Sequence, residues 1–452
     1  MNTVYRKSIN NYKDAFKAAD ITSAQMKDAI EDWHQLYYQK APSKKEDPCQ
    51  QIPYTIVRKL TKTAFAEYTA TSKDAFAQGV LDALNKKRSS AMQKALIGGE
   101  ALLKPIPTAS GFRFNVVGRD NVLVFGRNDE GQLTDIGTAE ESVRDKYYYV
   151  LLERRTVDDT GHLTIRNMLY QSSHPGDLGQ QVSLNTLPEY AQLPDRYTFP
   201  QPIGSVGLAS LRTPMENCVD GSRDAVSVYA AAVGLIHNIN VNEAQLCGEF
   251  KRGESRIIVS EDMFRRDEDG NRVFTDHIFV GVNESAEDIG VTIFSPALRE
   301  ASFLARKTEY LRNCENIIGL KRGLLSEVEA ADRTAKEITS SEGDYSLTVT
   351  DFQRAWEETA REALRLCGLF GQMYKVPGAH EINEDDVSFS FGNGVLYDEE
   401  KVGSELLAQV QMGLLQPERY LGWYYKLPCE TEVQRAKIRR DYMPEIEKLL
   451  DE

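Results

Sequence analysis

The 452-residue sequence has no excess of positive charge: 54 Lys and Arg stand against 68 Asp and Glu, a formal net charge of −14. Proteins that grip nucleic acid neutralise phosphates with Lys and Arg. The charge balance therefore argues against tight binding through a basic surface, but not against passive passage of nucleic acid. Cysteine is sparse, at Cys49, Cys218, Cys247, Cys314, Cys367 and Cys429, and no two stand at CxxC spacing. That argues against a disulfide framework or a zinc site and reads the thiols as buried small hydrophobes in a reducing compartment. No run approaches the ~18 consecutive apolar residues of a helical membrane span, so no membrane partner is expected. MNTVYRKSINNYKDAF has no apolar core of a signal peptide, and no leader is expected. His34, His162, His174, His237, His277 and His380 are scattered, with no HxxxH or HExxH. Gly204-Ser205-Val206-Gly207 lacks the spacing of a nucleophile elbow. Gly98-Gly99 and Gly392-Asn393-Gly394 are turn signals, and there is no Walker motif. No catalytic residue, metal or cofactor is expected; a hydrolase would need carboxylates clustered by folding around a divalent ion.

What is present is ordinary for a globular protein: 41% hydrophobic and 27% charged residues, with chain enough for two or three domains. Apolar spacing predicts a helix over residues 12–38, with Ile30, Trp33 and Tyr37 on one face. Residues 41–53 read as a proline-containing linker, and residues 56–96 as helical again. At Gly98 the texture turns β-rich and stays so to about Arg212. Two β-prone runs around Asp158-Asp159-Thr160-Gly161 predict a hairpin. Asp220-Gly221-Ser222 offers the N-cap of a helix of about 30 residues, roughly 45 Å long, ending near Gly253. Val226, Tyr229, Val233, Ile236 and Cys247 fall near one of its faces. A small β unit follows, with SRIIVSEDMF and RVFTDHIFVGV flanking an acidic turn and VTIFSP closing it. Arg265, Arg266, Asp267, Glu268 and Asp269 lie in that turn. It lacks the spaced ligands of an EF-hand and reads as a solvated hairpin turn.

The stretch 297–373 is the most informative. In its first helix Ala297, Ala301, Leu304, Thr308, Leu311, Cys314 and Ile318 recur at spacings of four and three, a narrow seam that needs a partner helix. The charged segment Lys321–Arg333 follows, and Thr334 with Glu337 matches a capping box. The next helix carries the stripe Phe352, Trp356, Ala360, Ala363 and Cys367, with Gly343 as a place where it could break. VSFSFGN is a late strand, and short helices over 399–415, 417–425 and 430–450 complete the chain.

In order and spacing these parts resemble the portal proteins of long-tailed bacteriophages. The segments that carry the resemblance are GGEALLKP, PEYAQLPDRYTF, LRTPMENCVDGSRDAVSVYAAAVGLI, GESRIIVSEDMF, FSPALREASF, RTAKEITSS and GLLQPERYLGWYYKLPCETEVQRAKI, and the likeness runs from about Ile56 onward. Two places depart from the family pattern. Lys336 stands where the family has a second Thr, and Gly392-Asn393-Gly394 stands where relatives tend to carry Asp-Asp.

The resemblance implies an α+β portal fold. Its parts would be a helical part of the wing (1–97), a β-rich wing (98–219), a first stem helix (220–252), a small α/β clip (253–296) and a second stem helix (297–320). A tunnel loop (321–333), a long wing helix with a late strand (334–398) and a helical crown (399–452) would follow. It implies a twelve-subunit ring, made in the bacterial cytoplasm and built into the virion at one capsid vertex, through which double-stranded DNA is packaged and ejected. The partners implied are further copies of the chain, the major capsid protein, the large subunit of terminase, the head–tail adaptor and the DNA itself. Lys321, Arg322, Glu327, Glu329 and Arg333 of the loop, with Arg306, Lys307 and Arg312 of the stem, would line the channel. Arg265, Arg266, Asp267, Glu268 and Asp269 would meet the clip's partners. The competing reading is another capsid-vertex or head–tail connector component without a DNA channel.

Overall fold

The computed structural model describes residues 9–38, 48–253, 256–260, 279–282, 292–294, 297–326, 335–391, 399–425, 427–429 and 431–443. The protein is α+β and divides into two compact units, Met1–Gly394 and Val395–Glu452.

The first unit opens with a short helix, α1 (Lys13–Phe16), and then α2 (Ala24–Tyr38). The single helix expected over 12–38 is thus two. The Ser23 hydroxyl accepts the Met26 N–H at 3.1 Å and so starts α2 afresh. Met26, Ile30, Trp33 and Leu36 form its buried stripe. Helices α3 (Ile52–Ala64), α4 (Ala75–Asn85) and α5 (Arg88–Gly98) follow, with strand β1 (Thr69–Ser72) between the first two. That strand corrects the all-helical expectation for residues 56–96. Its partner is far away in sequence, and Asp74 restarts the helix by accepting from the N–H groups of Phe76 and Ala77.

Residues 100–212 form two antiparallel sheets. Strands β2 (Glu100–Thr108) and β3 (Gly111–Gly118) pair, and β10 (Ala209–Arg212) closes the other edge of β2. The larger sheet runs in the order β4 (Val122–Arg127), β5 (Leu133–Arg144), β6 (Tyr147–Val157), β7 (Leu163–Ser172), β8 (Gln180–Val182), with β9 (Arg196–Thr198) also on β7. The hairpin expected at Asp158–Gly161 joins β6 to β7, and Gly161 supplies the positive φ of 84° that its turn requires. Ile9, Tyr12 and Phe16 lie across one face of this sheet, against Leu123, Val150, Leu152 and Met168.

Helix α6 spans Val233–Arg252, twenty residues rather than the thirty expected from Asp220. The preceding segment is held by tertiary contacts that a helix could not make. Asn217 and Asp220 hydrogen-bond to nearby backbone N–H groups, and Gly221 takes a φ of +68°. The Val228 N–H and the Ser227 hydroxyl both donate to the Leu96 carbonyl, and the Tyr229 hydroxyl donates to that of Trp33. A buried ionic cluster fixes the same segment. Asp224 lies 2.6 Å from Arg127 and 3.6 Å from Arg119, and the Arg119 guanidinium donates to Thr22 at 2.9 Å.

Three short strands follow α6: β11 (Arg256–Ser260), β12 (Phe279–Val282) and β13 (Thr292–Phe294), in the order β12-β11-β13. β11 and β12 run parallel. The expected hairpin is therefore corrected, because adjacent strands joined by a tight turn run antiparallel. Helix α7 spans Glu300–Ile318 and α8 spans Ala335–Met373 without a break at Gly343. Val349, Phe352, Trp356, Ala360, Ala363 and Cys367 of α8 are buried in the main core with α2, α3 and α5. Strand β14 (Val387–Ser390) pairs antiparallel with β1.

The second unit holds α9 (Glu399–Gln411), α10 (Pro417–Tyr424) and α11 (Glu432–Tyr442). Thr431 and Gln434 form a capping box at α11, and Arg439 pairs with the buried Glu418 at 2.5 Å.

Candidate functional site

Helices α6 and α7 pack side by side, and their contacts fix their relative direction. Glu249 meets Arg299, whereas Glu243, earlier on α6, meets Lys307, later on α7. Contacts that rise along one helix as they fall along the other define an antiparallel pair, about 30 Å long at 1.5 Å per residue. The Arg299 pair is two-pronged, Nε to Oε1 at 2.9 Å and Nη2 to Oε2 at 2.8 Å. Next to the second ion pair the Asn242 amide donates to the Phe303 carbonyl at 3.0 Å. The chain leaves α6 into β11 and returns from β13 into α7, so the small sheet is inserted at one end of the pair.

The seam differs from the expected one. Cys314 and Ile318 are buried, but Leu304 is 52% exposed and Ala301 is exposed. Val241 and Phe250 of α6, each 47% exposed, and Leu298 beside α7 are also open. Among the described residues, burial along the seam of α7 is greatest at Cys314 and Ile318 and falls off toward Leu304 and Ala301. Cys218 and Cys247 are exposed as well, which corrects the reading of all six thiols as buried; Cys314 and Cys367 do fit it, and burial pushes the Cys314 thiol up to about 11.

The candidate channel residues scatter in environment. Arg306 is exposed and donates to the Tyr310 hydroxyl at 2.8 Å, lying over that ring. Lys307 is half-buried between Glu243 and Gln50. Arg312 is partly buried, as is Lys321, and Arg322 is exposed. Glu327, Glu329 and Arg333 lie outside the described residues, as do Arg265, Arg266, Asp267, Glu268 and Asp269.

At the far end of the pair, α7 closes in a Schellman motif. Gly319 takes a φ of +74°, its N–H donates to the Asn316 carbonyl, and that of Leu320 to the Glu315 carbonyl. The turn that follows, residues 321–326, wraps around the Glu315 side chain, and Lys59 of α3 donates to the Leu324 carbonyl. Glu315 was not among the residues expected to matter. Its signal was a charged residue four after Leu311 and three before Ile318, on the apolar face of the helix.

Among the described residues, no group of three or more His, Cys, Asp and Glu is arranged to hold a metal ion. No described helix is long and apolar enough to cross a membrane.

No family model matches the chain, and no curated protein matches it. Among solved structures it is similar to one described as the neck of a native GTA particle computed with C12 symmetry. The TM-score is 0.42 and the identity 12%, over 93% of this chain and 99% of that one, a likeness too slight to carry an argument.

Proposed function

We propose that this chain is the repeating subunit of a portal, a ring at one vertex of a tailed-phage capsid through which double-stranded DNA enters and leaves. The observation that carries the reading is the antiparallel pair α6–α7, which bears a small inserted sheet at one end and exposes Phe250, Leu298 and Leu304 toward that end and Val241 at the middle of α6. Apolar side chains left open on both helices favour further helices as neighbours. A closed ring of identical copies supplies such neighbours to every subunit and leaves none uncovered. The order of parts along the chain supports the same reading through its resemblance to portal proteins.

In this reading α6 and α7 are the stem, the sheet β11–β13 is the core of the clip that meets terminase and later the adaptor, and residues 321–333 line the channel. Arg306 and Arg322, both exposed, are then better placed to meet passing DNA than Lys307, which is engaged with α6. A net charge of −14 suits a conduit, since every phosphate neutralised would hold the DNA back. The protein acts by shape and assembly, without chemistry of its own. Native mass spectrometry and negative-stain microscopy of the purified chain test the reading. Rings with an axial hole are expected; monomers at every accessible concentration would overturn it.

A further inference from the structure

Glu315 is a carboxylate with 0% exposure on a helix otherwise half open to solvent. A carboxylate taken out of water is tolerated only when hydrogen bonds replace its hydration. Here the replacement comes from one short turn. Oε1 accepts from the N–H groups of Gly323, Leu325 and Ser326 at 3.1, 2.5 and 2.9 Å. Oε2 accepts from the Gly323 N–H at 3.2 Å and from the Ser326 hydroxyl at 2.9 Å. The donors therefore follow the acceptor closely in sequence, and the side chain ties the last turn of α7 to the segment that leaves it. Leu324 and Leu325 pack on the main core from the same turn, which Lys59 holds from α3. Hydrogen bonds to an ionised acceptor are roughly twice as strong as neutral ones, and five of them converge on this one side chain.

We propose that Glu315 is a positioning residue: its carboxylate sets the shape of residues 321–326, the described part of the segment assigned to the channel. The effect on DNA rests on the portal reading; the effect on the turn does not.

Hydrogen exchange on the purified full chain separates the two. Glu315→Met fills the same volume without acceptors. In that variant the amides of Gly323, Leu325 and Ser326 should exchange about ten-fold faster or more, with the amides of 345–373 unchanged. Unchanged protection at 323–326 overturns the proposal. Glu315→Gln, which keeps one acceptor oxygen, should fall between Met and the native residue; native-like protection in both variants would mark Glu315 as a packing residue and overturn the proposal. If the Met variant does not fold, Ser326→Ala decides, with about two- to five-fold faster exchange confined to this turn expected and no change overturning the proposal. Where the native chain forms rings, the Gln variant should still form them but retain packaged DNA less well, and native retention would overturn the channel consequence. Absence of rings from the native chain would overturn the portal reading while the exchange result still decided the role of Glu315 in the turn.

Discussion

Lys307 on α7 donates to the carboxylate of Glu243 on α6 at 2.8 Å, which turns a lysine assigned to the DNA path toward its own subunit. Lys307→Met and Glu243→Gln, made singly and together, should show a coupling of about 0.5–1 kcal/mol in denaturant unfolding, the scale of a partly exposed ion pair. A coupling of zero would mean that the pair does not hold the two helices together.

The open residues on the helix pair make a separate prediction. Leu304→Glu and Val241→Lys alter side chains that are 52% and 47% exposed. Each should change unfolding stability by no more than about 0.5 kcal/mol. On the portal reading, both should lower the fraction of chain found in rings by native mass spectrometry, because a charge would be buried against a neighbouring copy. Undiminished assembly would move the subunit contact elsewhere.

Gly99 closes α5 with a φ of +86°, and a Cβ there would stand 2.3 Å from the Ala225 carbonyl oxygen. Gly99→Ala adds both a left-handed alanine and a clash with backbone, and should destabilise the first unit by at least ~2 kcal/mol. The check is the urea midpoint, expected to fall with an unchanged slope.

Glu153 of β6 lies buried between Arg155 at 2.6 Å and Lys104 at 2.8 Å. Burial would raise its pKa, but the two cations hold it down to about 2, below the ordinary 4.5. A carboxyl depressed on folding contributes its stability in full above the unfolded value and loses it as pH falls through the folded one. The contribution should therefore be present above pH 4.5 and fade between about 4.5 and 2. Glu153→Gln should flatten the fall of melting temperature across that window relative to the native chain.

Elements whose partner is their own neighbour in sequence were legible beforehand. The stripe Phe352, Trp356, Ala360, Ala363 and Cys367 announces α8 because its period is written within the helix itself, although what buries it lies far away in sequence. The turn Asp158–Gly161 announces its hairpin because the glycine, at a φ of 84°, and the flanking strands are contiguous. Features set by distant partners were not. Thr69–Ser72 became a strand only because Val387–Ser390 lies beside it. Residues 220–232 carry a helix-compatible pattern, yet Asp224, Ser227 and Tyr229 each find a fixed polar partner far away in the chain, on Arg127, Leu96 and Trp33. In the candidate site the helix pair and its inserted sheet could be anticipated, and so could the inward position of Glu315, but not its partners, most of which are backbone N–H groups that any sequence possesses.

The strap formed by Ile9, Tyr12 and Phe16 has a consequence for the order of folding. Tyr12 donates to Glu141, 129 residues later in the chain, at 2.9 Å. A segment made early by the ribosome must wait for strands made much later before it can bury its aromatic rings. Closing so long a loop is entropically slow. Until it closes, Leu123, Val150, Leu152 and Met168 stand uncovered on a sheet face, so the strap doubles as the late-arriving shield against self-association of the nascent chain.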